Sequence, residues 1–278
     1  MQAAGTSSIN LANVPAHVFI VFGGGVWVWN VERRTLDRLT FDPATGFFPA
    51  WTPDGHRVLF SSGDASGGFG IFSKSPDEGG AAQTLATRPS GRMLVSDATD
   101  DRRRVIFSLA GRDVMALLLD GTNSVEPLVQ TPFNERNGVV SRDGRWLAYE
   151  SDRSGRFEVY VRPFPDDAGP WQVSTEGGTR PLWVPNRQEL VYVALDGALM
   201  SVAVAPRGNT WNAGNPEKVI EGPYLTGGSV SGRTYDVSPD GRRFLLVKRP
   251  VNQPRPQIVV VQNWLEDLKT QGRASTTQ

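Results

Sequence analysis

Apolar and polar positions alternate with a period of two along most of this chain, and one short corner interrupts the alternation at regular intervals. The corner reads Trp51-Thr52-Pro53-Asp54-Gly55-His56-Arg57-Val58. It returns as Val140-Ser141-Arg142-Asp143-Gly144-Arg145-Trp146, as Trp183-Val184-Pro185-Asn186-Arg187-Gln188-Glu189 and as Val237-Ser238-Pro239-Asp240-Gly241-Arg242-Arg243. A decayed copy carries Thr99-Asp100-Asp101-Arg102 in its turn, and a faint one covers residues 9 to 20. Proline presets φ at the second turn position, Asp bonds its own backbone, and Gly accepts the left-handed conformation. Each corner therefore predicts strand, type I turn with a Gly bulge, strand.

Aligned on Val18, Val58, Val105, Leu147, Leu190 and Phe244, the copies stand 40, 47, 42, 43 and 54 residues apart, the last stretched by a Gly- and Ser-rich insertion near 222–233. A third apolar strand follows each corner, and a more polar fourth follows in five of them, at 36–41, 83–87, 125–130, 171–175 and 217–220. Self-similarity in the forties predicts an all-β fold, a six-bladed β-propeller of four-stranded antiparallel blades. The blades fall at 6–42, 47–88, 93–131, 136–175, 179–223 and 233–264 of a single domain spanning 1–278. Beyond Val261, the spacing of Trp264, Leu265 and Leu268 predicts a short C-terminal helix, with helix and tail over 264–278. The sixth blade then lacks its fourth strand. Residues 1–8 are expected to complete it; an open edge would instead pair with another chain.

Charge narrows the partners. Lys and Arg number 29 against 29 Asp and Glu, so nothing electrostatic favours nucleic acid or an anionic membrane surface. There is no cysteine, which removes disulfides, thiol catalysis and thiolate metal sites. No charged segment followed by a long apolar stretch marks an export signal, and no run approaches a membrane span. The expectation is a cytoplasmic chain as given, or an extracytoplasmic one if it is excised from a longer membrane-anchored parent.

Candidate chemistry is sparse. His17 and His56 are the two histidines, both placed near hairpin corners of adjacent blades. Gly23-Gly24-Gly25 has no following helix to make a phosphate loop. Stacking the first strands in register sets Asn10, Asp97 and Asp236 at the level that Ala50, Val139 and Leu182 occupy elsewhere. Carboxylates at an apolar level are either paired to backbone of the next blade or ligate an ion, and oxygen donors suit Ca²⁺ or Mg²⁺. Just upstream, Arg92, Glu135, Arg136, Asn137, Arg180 and Arg233 gather near the expected mouth of the channel. They make an anion- or peptide-binding rim or a set of solvated loop residues.

The corners, together with Glu158-Val159-Tyr160-Val161-Arg162-Pro163-Phe164-Pro165, Trp171-Gln172-Val173-Ser174-Thr175 and the ending Asn263-Trp264-Leu265-Glu266-Asp267-Leu268, resemble the TolB-type six-bladed β-propeller repeats. Such repeats often form the C-terminal propeller domain of bacterial membrane-anchored serine/threonine kinases. The resemblance runs from about residue 10 to 269 and implies binding of proteins, peptides or envelope ligands, with no shared catalytic residues. The chain departs from the pattern in having no kinase or membrane segment. The expected function is a non-catalytic binding or sensor-type propeller that requires no cofactor and holds a protein, peptide or small anionic ligand. The alternatives are a metal-dependent hydrolase of lactones, esters or phosphoesters, with a divalent cation in the channel, and an assembly scaffold acting through the sixth blade.

Overall fold

A computed structural model describes residues 17–22, 25–30, 33–41, 46–63, 68–166, 168–206, 208, 210–221, 232–248 and 257–262. Six antiparallel sheets follow one another along these residues. The first holds β1 (His17–Phe22), β2 (Gly25–Asn30) and β3 (Thr35–Arg38). The second holds β4 (Gly46–Trp51), β5 (Val58–Gly63), β6 (Phe69–Lys74) and β7 (Gln83–Arg88). The third runs β8 (Met93–Ala98), β9 (Arg104–Leu109), β10 (Asp113–Leu118) and β11 (Val125–Val129). The fourth runs β12 (Glu135–Val140), β13 (Trp146–Ser151), β14 (Glu158–Pro163) and β15 (Trp171–Gln172). The fifth has β16 (Thr179–Trp183), β17 (Glu189–Val193), β18 (Leu199–Ala203) and β19 (Glu217–Ile220). The sixth has β20 (Tyr235–Val237), β21 (Arg243–Lys248) and β22 (Gln257–Gln262). This is the six-bladed propeller that the repeat predicts.

No helix occurs among the described residues, and none there is long and apolar enough to cross a membrane. The helix expected at 264–278 and the strand expected from residues 1–8 lie outside them, as does the expected first strand of the first blade. The polar fourth strand of the fourth blade is shorter than expected: β15 pairs only over Trp171–Gln172.

The corners form as hairpins, and four of the five are built on a hydroxyl. Thr52 Oγ1 donates to Asp54 Oδ1 at 2.6 Å and accepts from Arg57 N at 3.1 Å. Ser141 and Asp143 repeat this, with Trp146 N on Ser141 Oγ at 3.0 Å, and Ser238 and Asp240 do the same beneath Arg243 N. The decayed copy keeps both partners, Thr99 and Asp101 at 2.6 Å, and Arg102 takes the glycine's place at φ 59°. The copy at Val184 has lost hydroxyl and carboxylate alike. There the expected type I turn gives way to one with Asn186 at φ 58°, the third-position left-handed residue of a type II turn.

Each sheet covers its faces with its neighbours, so the core is a series of layers between blades. Val26, Val28, Val58 and Phe60 join the first two sheets, while Leu59, Ile71, Val95 and Phe107 join the second and third. Ile106, Val114, Leu147 and Tyr149 join the third and fourth, Trp146, Val161, Leu190 and Trp211 the fourth and fifth, and Val191, Leu199, Tyr235 and Phe244 the fifth and sixth. β4, β8, β12 and β16 approach one another across blades, which makes them inner strands around the axis, and β20 holds the same first place in its sheet.

Gly138 on β12 marks how close these layers come. A Cβ there would sit 2.5 Å from Val114 Cγ1 and 3.3 Å from Ile106 Cγ2, both in the preceding blade. Gly138→Ala is expected to destabilise the fold by about 1–3 kcal/mol through overpacking. Gly79→Ala, whose Cβ would meet open space, is expected to stay within about 0.5 kcal/mol. Urea denaturation of the two variants checks the contrast, and equal stabilities would contradict it.

Candidate functional site

The inner strands are irregular at one shared level. Pairing slips between Phe47 and Ala50 on β4, Val95 and Asp97 on β8, Arg136 and Val139 on β12, and Thr179 and Leu182 on β16. In three of these bulges the residue two places before the alignment level is left-handed: Phe48 at φ 53°, Asn137 at 52° and Arg180 at 55°. Phe and Arg rarely adopt that conformation, so at Phe48 and Arg180 neighbouring contacts must hold it, whereas Asn137 takes it more readily.

A bulge frees an amide that needs an acceptor. Here the acceptor comes from the preceding blade. Ser61 Oγ takes Val95 N at 2.9 Å, Ser108 Oγ takes Asn137 N at 3.0 Å, and Glu150 Oε1 takes Arg180 N at 2.8 Å. Ser61, Ser108 and Glu150 occupy the same register position on β5, β9 and β13, two residues beyond Leu59, Ile106 and Ala148. The signal was in the sequence as a polar residue, Ser61, Ser108 or Glu150, late in three of the apolar second strands.

Glu150 does more than the serines at its register position. It is fully buried, and its Oε2 accepts from Arg136 Nε at 2.9 Å, while Oε1 also accepts from Asn137 Nδ2. The Arg136 guanidinium lies 3.7 Å from the centroid of the Phe157 ring, a cation–π contact on its other side. Arg180 extends the network to the next blade: Nε donates to Gly232 O at 3.2 Å, and its carbonyl accepts from Tyr235 Oη at 2.6 Å. Burial pulls the Arg180 pKa down and pushes that of Tyr235 up.

The structure thus brings Arg136, Asn137 and Arg180 together on one carboxylate. They are not solvated rim residues: Arg136 is 8% and Arg180 6% exposed. Glu135 is also buried, but its Oε1 accepts from Thr131 and Ser151 at 2.5 and 3.2 Å, and burial raises its pKa. Arg92 stands apart in an exposed connection, stacked over the Phe69 ring at 5.7 Å. Arg233 sits beside Gly232, where its charge favours the ionised form of Asp97 on the third blade.

The carboxylates proposed from register lie at the expected level. Asp97 Oδ2 accepts from Val140 N at 2.8 Å, so it bonds backbone of the following blade. Asp236 Oδ1 accepts from its neighbour Val237 N at 2.9 Å. Asn10 lies outside the described residues. Among the described residues no three His, Asp or Glu side chains converge as a metal cluster. His56 is exposed in its turn, and the His17 side chain is not among those described. Two open surface cavities lie elsewhere among the described residues, about 270 Å³ beside His56, Arg57 and Glu78 and about 320 Å³ beside Arg38, Phe41 and Lys74.

Burial pushes the Asp97 carboxyl up to about 6, against the opposing pull of Arg233 and of the Val140 and Ala98 amides. Asp97 as a whole is half-buried, and protein surrounds its carboxyl. Between the ordinary value of 3.8 and about 6 the folded chain binds a proton that the unfolded chain has released. Stability from this group is therefore greatest at low pH and falls as pH rises through that window. Asp97→Asn is expected to gain about 1–2 kcal/mol on wild type between pH about 4 and pH about 7.5. A stability difference that does not change with pH would contradict this.

Removing the Glu150 carboxylate strands Arg136 in the interior. Glu150→Ala is expected to cost about 3 kcal/mol or more in urea unfolding, and a loss below about 1 kcal/mol would show that the network is dispensable.

No family model and no curated protein matches this chain. Solved structures do. TolB from Acinetobacter baumannii is 13% identical over 90% of this chain and 59% of that one, with a TM-score of 0.65. A nidogen/laminin complex matches at 13% identity, 90% of each chain and a TM-score of 0.61. An oligogalacturonate lyase in complex with manganese matches at 15% identity, 88% of this chain and 70% of that one, with a TM-score of 0.57. Likeness at these identities establishes the fold, a TolB-like β-propeller.

Proposed function

We propose that the chain is a non-catalytic binding propeller, holding an anionic group of a protein, peptide or small molecule where the inner strands begin. One observation carries this reading: Glu150 takes the Arg136 guanidinium and the Arg180 backbone amide, the Arg180 guanidinium turns instead to Gly232 O, and Arg233 is the next residue in the chain. An excess of planar donors in a partly dry setting favours an incoming anion. The left-handed bulges hold these side chains on the scaffold rather than on loops, which reduces the ordering that binding must impose. No divalent cation is needed for this. If one bound, Asp97 and Asp236 would be the carboxylates available, each already bonded to backbone.

Titration of isotope-labelled protein with acidic peptides and small organic anions tests the proposal. Amide shifts are expected to cluster at Asn137, Arg180 and Thr234. Shifts centred on the opposite corners, at Gly55 and Gly144, would contradict it. So would turnover of ester or phosphodiester substrates that chelation abolishes, which would favour the hydrolase alternative.

A further inference from the structure

Gly232 leads into β20 of the sixth blade, yet it meets side chains from two other blades. Its carbonyl accepts from Arg180 Nε of the fifth blade at 3.2 Å. Phe48 of the second blade lies against its Cα: a Cβ added to Gly232 would stand 2.7 Å from Phe48 Cδ1 and 3.3 Å from Cε1. The second and sixth blades are not neighbours in a six-bladed ring, so a contact between them is a chord across the mouth of the channel.

Both sides of this contact are shaped for it. Phe48 keeps the left-handed φ of 53°, which phenylalanine rarely adopts, and its ring also meets that of Phe47 at 6.4 Å between centroids. Gly232 does not itself take a left-handed φ, so it is the ring that leaves no room for a side chain at 232.

The acceptor that Gly232 gives Arg180 Nε is an uncharged carbonyl, and a hydrogen bond to a carboxylate is about twice as strong. We propose that Gly232 is a built-in competitor of the ligand. Its carbonyl occupies Arg180, Phe48 seats it there, and an incoming carboxylate binds by displacing it. The inference rests on the binding reading above and names how that site is regulated. The seated form accounts for the burial of Arg180, which is 6% exposed although it serves a ligand from outside. While Gly232 stays seated, apparent affinity is reduced by the fraction of molecules in the open form, and removing the seat restores it.

The full chain is titrated at fixed ionic strength with sodium acetate and with N-acetyl-triglycine, and amide shifts are followed at Asn137 and Arg180. Gly232→Ala drives a methyl group into the ring. β4 is paired with β5 on both sides of Phe48, so the segment at 232 is what yields. Phe48→Asn removes the ring and keeps a residue that tolerates the left-handed bulge. Each variant is expected to bind both probes about threefold to tenfold more tightly than wild type. Gly79→Ala, whose methyl meets open space, is expected to match wild type. Unchanged or weaker binding in either folded variant overturns the inference while the binding reading stands; if one variant does not fold, the other decides. No shift from either probe in any of the four chains overturns both.

Discussion

One hydrogen bond, made again from blade to blade, sets the register of this propeller at its axis. A polar side chain in the middle of a second strand reaches the amide that the next inner strand releases at its bulge. Ser61 serves Val95, Ser108 serves Asn137 and Glu150 serves Arg180. The apolar layers between blades supply most of the burial, but they are not directional. The bulge amide is directional, because once freed from its ladder it has one acceptor within reach. Each blade is therefore fixed in rotation as well as in contact.

The site grows from that bond by a single change of residue. Where two blades use serine, the fourth uses glutamate, and a carboxylate has acceptor capacity left after it takes one amide. Arg136 and Asn137 fill that capacity, and the left-handed bulge brings Asn137 within reach. Arg180 offers its amide to Glu150 and its side chain to the sixth blade, so one residue links three blades. Arg233 follows in the chain with no such partner among the described residues. Structural necessity thus explains two of the arginines.

Much of the fold was legible because hairpin chemistry is local. Thr52-Pro53-Asp54-Gly55 and its copies spell their turns within four residues, and the spacing of the copies spells the ring. The hydroxyl pairing within the turns was also on the page, and it explains why Thr99 keeps its turn without glycine while Val184 does not. The register that placed Asp97 and Asp236 at one level was correct, since a strand period of two is unambiguous over short runs. The mouth residues were harder. Whether Arg136 meets solvent or Glu150 depends on the neighbouring strand's polar residue and on a two-residue bulge, and neither is a property of the segment that carries the arginine. Arg92 shows the converse: it precedes the same strand level, yet its loop carries it to Phe69.

Hydrogen exchange at the bulge amides addresses the interblade bond most directly. If Ser61, Ser108 and Glu150 hold Val95, Asn137 and Arg180 as described, those amides exchange only when the propeller opens, with protection near the global stability of the fold. Exchange as fast as that of exposed corner amides would mean that the bond is not formed in solution, and the construction of the site around Glu150 would fail with it.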